Sequence, residues 1–396
     1  MKVLIDCRCL QSPPPRGGVG VLAEGIVRAL IERNNELGIK NDGIEWILFA
    51  NGLVDPRRHL PQFDAPNVRW MVTRWPNKLL NVACSLRLAA TTRWSGRAGG
   101  FREADVVFLP NLNFIPRLPA RTKLVVTVHD LSFEHFPDCF TVKQRLWHHF
   151  IHPRKLLQRA DAIIAVSETT KRDVVETYGI PDSRIHVIHP GIGNAECRTQ
   201  NAERSNENPL SSFITHHSAF PFILTISEIS PRKNLDGLIT AFEQLVTRHS
   251  SLVTHLVIAG IPGSATPAIR RQIARSPARD RIHLIGPVDE NEKRALIARA
   301  ACFAYVSLWE GVGFPALEAM AEGCPVVSST GGSLPEILGD AALLVDPLDP
   351  AAIADVIYRV LTDSALRSEL IPRGRARAAR FQWTDAAKKL HGILTG

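Results

Sequence analysis

Short apolar runs alternate with helix-length segments along the whole of this 396-residue chain. Within each run the apolar residues are continuous and do not alternate with polar ones, a pattern typical of parallel strands buried on both faces. The predicted strands cover residues 2–6, 45–50, 105–110, 123–129, 161–166, 185–189, 221–227, 254–260, 281–285, 301–307, 324–328 and 342–345. A strand followed by a helix, repeated along the chain, predicts an α/β fold of two Rossmann-like, doubly wound domains.

The segment 192–215 separates the two halves of this pattern. It is rich in Asn, Ser and charged residues, which predicts a linker. We expect an N-terminal domain over 1–200, a C-terminal domain over 215–374, and a C-terminal helix over 375–396 that packs back on the first domain. Two such domains would face each other across a cleft, with ligands outside the carboxyl ends of the strands.

Composition excludes several classes of protein. No stretch approaches the ~18–20 consecutive apolar residues of a membrane span. The start MKVLIDCRCL is interpreted as a strand rather than a signal peptide, because Asp6 interrupts it. Seven scattered cysteines favour reduced thiols in a cytoplasmic protein and give no zinc-ligand spacing. Because metal-ligand spacing is absent, we expect no metal. The net charge is +8, but no nucleic-acid-binding module accompanies it, so we expect no nucleic-acid partner.

The interval 69–102 is basic and contains no acidic residue before Glu103. Its basic residues and tryptophans are Arg69, Arg74, Lys78, Arg87, Arg93, Arg97 and Arg102, with Trp70, Trp75 and Trp94. Such a stretch can lie on an anionic membrane surface, where each basic residue contributes on the order of 1 kcal/mol and Trp favours the interface. The alternative is a solvated helix face with a few packed aromatic residues.

Two acidic residues flank a Gly-rich turn in SLWEGVGFPALEAMAEGCPVVSS, residues 307–329. Glu310 is predicted on the loop after a strand, and Glu318 in the first turn of the helix that follows, where the helix dipole favours a carboxylate. Gly311 and Gly313 would let the backbone approach a ligand closely. Because a buried acid is costly unless it has a partner, the pattern predicts a polar ligand between the two glutamates.

Two further loops follow predicted strands and carry charge or glycine. Arg232 and Lys233 are placed to neutralise a diphosphate, with simple solvation as the alternative. Gly17, Gly18 and Gly20 would permit an anionic group to approach the start of a helix near Val19. Because no G-x-G-x-x-G pattern is present, NAD is not expected.

His129 and Asp130 stand where another predicted strand ends. His129 could hydrogen-bond a substrate hydroxyl or take part in proton transfer, although a structural His–Asp pair is the alternative. His148 and His152 have the spacing of metal ligands on a helix, but the surrounding cations favour a basic surface helix.

Together these motifs resemble the retaining GT-B glycosyltransferases of the family that includes sucrose synthases and bacterial mannosyltransferases of surface-polysaccharide assembly. Glu310 and Glu318, separated by seven residues, are similar to that family's paired-glutamate motif. Similarity extends through GGVG at 17–20, TVHDLSFEHFPD at 127–138, AVSETTKRDVVETYGI at 165–180, VIHPGI at 187–192, SPRKNLDGL at 230–238 and GGSLPEILGDAALLVDP at 331–347. SPRKN and SLPEILGDAALLVDP most resemble the mannosyltransferase branch.

The resemblance implies a site for a nucleotide-sugar donor. Arg232 and Lys233 would bind its diphosphate, and Gly18 would lie under the phosphates or near the acceptor. The loop at Gly286 and Val288 would contact the base through its backbone.

For the sugars, the resemblance implies that Glu318 hydrogen-bonds the ribose and that Glu310 holds hydroxyls of the donor sugar as a positioning residue. It implies that His129 contacts the donor sugar near the reacting centre. Other loop residues expected near the donor or acceptor are Gly17, Gly20, Asp130, Gly311, Gly313 and Phe314.

The sequence departs from the family in one place. Many relatives carry Gly-Arg at the end of the second domain's first strand, where this chain has Ile226–Ser227. This leaves Arg232 to supply the guanidinium. Fixed cations and helix-start N–H groups would stabilise the departing phosphate without a metal.

The resemblance favours a cytoplasmic enzyme, peripheral on the inner face of the membrane, that transfers mannose from GDP-mannose to a lipid-linked saccharide. The alternatives are another nucleotide hexose as donor and a nucleotide-sugar epimerase of the same fold. A periplasmic-type sugar-binding protein is disfavoured by the absence of a signal peptide and by the cysteine pattern.

Overall fold

The computed structural model describes residues 1–11, 16–32, 43–53, 59–63, 65–85, 100–193 and 220–396. The chain forms two compact units. The first comprises Met1–Phe133, Val142–Gly191 and Phe381–Gly396, and the second comprises Glu134–Thr141 and Ile192–Arg380. Most of the predicted linker lies outside the described residues, and the limits 1–200, 215–374 and 375–396 stay predictions.

The first unit contains a seven-stranded parallel sheet. Its strands are β1 (Lys2–Asp6), β2 (Glu45–Asn51), β3 (Val68–Thr73), β4 (Val106–Leu109), β5 (Lys123–Val128), β6 (Ala162–Ala165) and β7 (Ile185–Val187). They are arranged in the order β3-β2-β1-β4-β5-β6-β7. The helices along this part of the chain are α1 (Gly18–Glu32), α2 (Asn77–Ser85), α3 (Gly100–Glu103), α4 (Ser132–His135), α5 (Val142–Ile151), α6 (Pro153–Arg159) and α7 (Glu168–Tyr178).

The second unit contains a six-stranded parallel sheet. Its strands are β8 (Phe222–Ile226), β9 (His255–Ala259), β10 (Ile282–Gly286), β11 (Cys302–Tyr305), β12 (Val326–Ser329) and β13 (Ala342–Val345), in the order β10-β9-β8-β11-β12-β13. The helices are α8 (Leu235–Arg248), α9 (Thr266–Arg275), α10 (Glu290–Arg299), α11 (Phe314–Ala321), α12 (Leu334–Leu338), α13 (Pro350–Thr362) and α14 (Ser364–Ala378). A Rossmann-type sheet has this strand order.

A last helix, α15 (Trp383–Thr395), packs on α1 within the first unit. Gly25 and Gly191 leave the space that the Trp383 side chain occupies, since a Cβ on Gly25 would come within 2.3 Å of its ring. A larger residue at either glycine would therefore push the C-terminal helix away.

All twelve predicted strands are present, and the structure adds β3, which the sequence did not predict. Its residues, VRWMVT, include polar ones and only Met71 is buried, because β3 pairs with β2 alone at the edge of the sheet. Part of the basic interval 69–102 is therefore a strand and not a helix face. Arg69 pairs with Glu45 (2.5 Å), and Trp70 lies against Phe63. Outside the described residues lie Arg87, Arg93, Trp94 and Arg97.

Each sheet has a point at which the strand order reverses. It lies between β1 and β4 in the first unit and between β8 and β11 in the second. In open α/β sheets, ligands bind outside the carboxyl ends of the strands at such a point, because the helices leave on opposite faces and open a crevice. A ligand site is therefore expected at the loops after β8 and β11.

Candidate active site

A short 3₁₀ turn, Pro231–Lys233, leaves β8 and carries both Arg232 and Lys233. Asn234 closes the turn in the left-handed conformation, with φ 53°. Its buried side-chain amide donates a hydrogen bond to the carbonyl oxygen of Val306 (3.1 Å), the residue that follows β11. The two cations therefore lie on a turn that is tied to the end of the neighbouring strand.

Glu310 lies on the loop that leaves β11, and its backbone is fixed by the next loop of the sheet. Its carbonyl oxygen accepts hydrogen bonds from the N–H (2.9 Å) and Oγ (3.0 Å) of Ser333. Gly332 has φ 62°, and a Cβ there would come within 2.4 Å of the same carbonyl oxygen. The N–H of Leu308 donates to the carbonyl oxygen of Arg232 (2.9 Å), which joins this loop to the loop after β8.

The side chains of these two loops form a compact cluster, which we call the Glu310 cluster (Arg232, Lys233, Tyr305 and Glu310). One carboxylate oxygen of Glu310 accepts from Lys233 Nζ and from the Tyr305 hydroxyl (3.0 Å), and the other lies 3.1 Å from Arg232. Lys233 Nζ also lies 2.8 Å from the Tyr305 hydroxyl. Glu310 is 7% exposed.

The electrostatics of the cluster follow from burial and from the two cations. Burial alone would raise the pKa of Glu310, but the charges of Arg232 and Lys233 outweigh it and lower that pKa to about 2. Burial and the Glu310 carboxylate raise the pKa of Tyr305 well above its usual value, so its hydroxyl keeps its proton and donates. Glu310 is thus a carboxylate at neutral pH.

Two cations and one carboxylate leave this cluster with a net charge of +1, at the point where the sheet reverses its strand order. Such an arrangement suits an anionic ligand, since its donors are held before the ligand arrives. The sequence predicted Arg232, Lys233 and Glu310 as site residues, but it did not predict that they contact one another. It also missed Tyr305, for which the only signal was its position at the end of an apolar run.

Glu318 has different partners from Glu310. It is the fifth residue of α11, so the prediction that it lies in the first helical turn is wrong. Its carboxylate pairs with Lys293 Nζ (2.9 Å), which also pairs with Glu290 (2.8 Å). Burial raises the pKa of Glu318, and the Lys293 cation opposes that rise. Lys293 was not predicted; its spacing of three residues from Glu290 on α10 was the available signal.

The loop after β10 leads to the partner of Glu318. Gly286 ends the strand in the left-handed region, with φ 79°, and its carbonyl oxygen accepts from the N–H of Gly260 (2.7 Å). Val288 is buried just before α10, the helix that carries Lys293. The predicted base-contacting loop and the predicted ribose ligand Glu318 are therefore linked through one helix.

The Gly-rich turn beside Glu310 is built around Gly313. This residue has φ 83° and precedes α11, and a Cβ there would come within 2.6 Å of Leu334. Gly311 is buried, and Phe314 is the first residue of the helix. The turn thus brings backbone rather than side chains to the start of α11.

In the first unit, His129 follows β5 and is held by a backbone contact. Its Nε2 lies 2.8 Å from the carbonyl oxygen of Pro110, which only accepts, so Nε2 carries the proton. Burial lowers the pKa of His129, so the ring is neutral at pH 7 and Nδ1 is an acceptor. The Asp130 carboxylate accepts hydrogen bonds from the N–H (2.9 Å) and Oγ (2.5 Å) of Ser132, the first residue of α4.

The glycines after β1 lie at the start of α1, which begins at Gly18, near Val19 as predicted. Gly17 precedes the helix, and a Cβ on Gly20 would come within 2.8 Å of the Arg16 side chain. Arg16 forms a buried ion pair with Glu24 (2.5 Å), which the sequence did not predict. Gly20 therefore makes room for this arginine.

Within the part of the chain that the structure describes, no helix combines the length and apolar character that a membrane crossing requires. Three or more His, Cys, Asp or Glu side chains do not come together there in a metal-type cluster. The expectation that no metal takes part stays a prediction.

Two family profiles match the chain. Residues 16–194 match the profile described as Glycosyltransferase Family 4, and residues 211–377 match Glycosyl transferases group 1. The O-antigen chain mannosyltransferase B of Escherichia coli is 31% identical over 270 residues, which cover 68% of this chain and 69% of that protein. The chain belongs to the group 1 glycosyltransferase family. The resemblance inferred from the motifs is thereby confirmed.

A second relative of this group 1 glycosyltransferase is the serotype-specific mannosyltransferase WbdA of Escherichia coli. It is 30% identical over 411 residues, which cover 98% of this chain but only 47% of WbdA. Among solved structures, Anabaena HepE in complex with UDP-glucose superimposes with a TM-score of 0.66 and 20% identity, covering 100% of this chain and 99% of that chain. This likeness confirms the predicted α/β fold of two Rossmann-like domains, which is the GT-B fold.

Proposed function

We propose that this group 1 glycosyltransferase is a retaining mannosyltransferase that moves mannose from GDP-mannose to a lipid-linked saccharide in surface-polysaccharide biosynthesis. Two relatives named as mannosyltransferases, one of them of the O-antigen chain, support the sugar and the pathway class. The observation that carries the proposal is the Glu310 cluster between β8 and β11. Its two cations suit the diphosphate of a nucleotide sugar.

In the proposed reaction the bond between the sugar and the diphosphate breaks, and negative charge develops on the departing phosphate. Arg232 and Lys233 stabilise that charge without reorganising, because Glu310 already fixes both side chains. Glu310 also accepts from hydroxyls of the mannose, as a positioning residue and not as a nucleophile. The departing phosphate takes the proton of the acceptor hydroxyl on the same face of the sugar.

The nucleoside is bound next to the diphosphate, in the same unit. Glu318 accepts from the ribose hydroxyls, and the backbone at Gly286 and Val288 contacts the base. The pairing of Glu318 with Lys293, on the helix that follows this loop, supports one continuous nucleoside site. His129, a residue of the first unit, contacts a sugar hydroxyl in this proposal, because its Nδ1 is an acceptor.

A screen of nucleotides and nucleotide sugars by thermal unfolding tests the donor. A ligand present at 100 times its Kd stabilises the folded state by about 2.7 kcal/mol, so GDP and GDP-mannose should raise the melting temperature clearly. UDP-glucose is the rival donor, because the neighbouring HepE structure was obtained with it. If only uridine nucleotides raised the melting temperature, the donor would be a UDP-sugar and not GDP-mannose.

Transfer itself is tested with the donor, a lipid-linked saccharide and a cation variant. Lys233→Ala should lower kcat by 10²–10³-fold, since losing one preorganised donor costs about 3–4 kcal/mol in the barrier. Lys389→Ala, at an exposed lysine of α15, is the matched control and should retain full activity. Near-normal turnover by Lys233→Ala would remove the proposed role. Conversion of the donor without any acceptor would instead indicate an epimerase.

We also propose a place on the cytoplasmic face of the membrane, where nucleotide sugars and lipid-linked acceptors meet. The six cysteines within the described residues are free thiols, which suits a reducing compartment. Part of the interval 69–102 would contact anionic lipid, and its exposed residues include Arg74, Lys78 and Leu79. Changing Arg74, Arg87 and Arg93 together to Ser should then weaken sedimentation with anionic vesicles, and unchanged sedimentation would remove this role.

A further inference from the structure

Helix α5, in the first unit, exposes a stripe of large apolar side chains, which we call the 142–150 stripe. It consists of Val142, Leu146 and Phe150, which are 63%, 51% and 54% exposed. Residues four apart lie on one face of a helix, so the three side chains form a continuous row about 12 Å long. Among the described residues of the first unit, none buries this row.

The opposite face of α5 anchors the helix in its unit. Ile151 is buried, Trp147 lies edge-on to Phe114 at 6.3 Å, and the ring of His148 stacks on Phe133 at 4.2 Å. Because this face is already packed, a rotation that would bury the stripe would expose these aromatic residues instead. The stripe is therefore a fixed feature of the surface.

The next helix, α6, has the opposite arrangement. Leu156 and Leu157 are buried there, whereas Arg154 and Lys155 are exposed. His152, with φ 52°, lies between the two helices, so it does not share a helix face with His148. The short α6 thus follows the usual rule of apolar residues inside and charges outside, and the exposed stripe is particular to α5.

The segment that carries the stripe has charged residues of one sign only. From Cys139 to Ala160 the sequence contains no acidic residue, and its basic residues are Lys143, Arg145, Arg154, Lys155 and Arg159. On a helical projection Lys143 borders the stripe on one side and His149 on the other. Among the described carboxylates, none forms an ion pair with Lys143, Arg154 or Lys155.

We propose that the 142–150 stripe and its basic border dock on an anionic lipid surface. Val142, Leu146 and Phe150 would enter the boundary between headgroups and acyl chains, while the cations contact lipid phosphates, as in helices that lie in the plane of a membrane. A second copy of the chain is a poorer occupant, because the basic 139–160 segments of two copies, which contain no acidic residue, would repel each other. This surface is separate from the interval 69–102 and does not depend on which donor the enzyme uses.

Sedimentation of the full chain with vesicles tests the proposal. The vesicles contain phosphatidylglycerol and phosphatidylethanolamine, and neutral phosphatidylcholine vesicles serve for comparison. The triple variant Val142→Ser, Leu146→Ser, Phe150→Ser should lower the partition coefficient onto anionic vesicles by at least about tenfold, because it removes the apolar area that enters the interface. The matched control changes Leu53, Val253 and Leu348 to Ser, three residues that are also exposed but scattered, and should bind as the wild type does.

A second variant tests the charge and leaves the apolar stripe intact. Changing Lys143, Arg154 and Lys155 to Ser should lower the partition coefficient by about 100-fold, since each basic residue near the surface contributes roughly fivefold. Binding by the wild type should weaken as salt is raised. Nucleotide-induced thermal stabilisation should be unchanged in both variants, which shows that they are folded and separates this proposal from the proposed reaction.

Three results would overturn the proposal. The wild type does not sediment with anionic vesicles, or both variants sediment as it does, or only the variant in 69–102 loses binding. A wild type that elutes as a dimer, with a monomeric serine variant that still binds vesicles, would assign the stripe to a second copy of the chain instead.

Discussion

Replacing Glu310 with Gln removes the carboxylate that contacts both Arg232 and Lys233, while the shape of the side chain is retained. The two cations would then share a buried site with a neutral amide. Removing one partner of a buried ion pair is costly, because the remaining charge has lost both water and its counter-ion. We therefore expect the second unit to lose stability at neutral pH.

The magnitude follows from the pKa of Glu310. Burial tends to raise it, but Arg232 and Lys233 lower it to about 2 from an ordinary value of 4.5. At about 1.4 kcal/mol per pH unit, this difference corresponds to roughly 3 kcal/mol of folded-state stability at pH 7. Because the pKa is lower in the folded state, the contribution is fully present above pH 4.5 and is lost as the pH falls through about 2.

Hydrogen exchange measures this contribution in the second unit alone. In the Glu310→Gln variant, the amides of β8 and β11 should lose more than a hundredfold of protection at pH 7, but only about tenfold at pH 3, where the wild-type carboxylate contributes less. Glu369→Gln, at an exposed ion pair with Arg373 on α14, is the control and should change protection little. Equal protection at pH 7, or a loss that is the same at both pH values, would refute the reasoning.

Two further predictions concern the supports of the site. Gly332→Ala places a Cβ against the Glu310 carbonyl oxygen at φ 62°, so it should cost on the order of 1–3 kcal/mol of stability and weaken donor binding. Gly392→Ala in α15 is the control and should do neither, because a Cβ there meets no atom within 4 Å. Thermal unfolding measures the stability of both variants, and calorimetry with GDP measures their binding. Lys293→Met removes the cation that opposes the rise of the Glu318 pKa by burial, so this pKa should rise further. Because a protonated Glu318 is a poorer acceptor for the ribose hydroxyls, GDP affinity should fall more at pH 6 than at pH 8. An equal loss of affinity at both pH values would contradict the pairing of Glu318 with Lys293.

Much of the fold was predictable because of how parallel sheets are buried. A strand covered by helices on both faces must be apolar at consecutive positions, and twelve such runs became twelve strands. The missed strand, β3, lies at an edge, where one neighbour and partial exposure allow Arg69 and Trp70 to stand within it. An edge strand need not be apolar at consecutive positions, because it has a neighbouring strand on one side only and is partly exposed.

The loops of the candidate site were predictable for the same reason. Residues that follow parallel strands gather at one edge of the sheet, so Arg232, Lys233 and Glu310 could be assigned to that edge from their positions alone. Their mutual contacts could not, because Lys233 and Glu310 are 77 residues apart and meet only through the pairing of β8 with β11. The pairing of Glu318 with Lys293 on α10 was hidden in the same way.

The amino-acid sequence by itself determined the α/β class, the strands of two parallel sheets and the loops that carry the chemical groups, because burial and helix starts leave local patterns. Only the tertiary structure decided that Glu310 pairs with both Arg232 and Lys233 and that Glu318 forms an ion pair with Lys293. It also decided that α5 turns its Leu146 face outward. The reason is that the contacts of a charged side chain or an apolar helix face come from residues distant in the sequence, and the local sequence pattern does not indicate which residues those are.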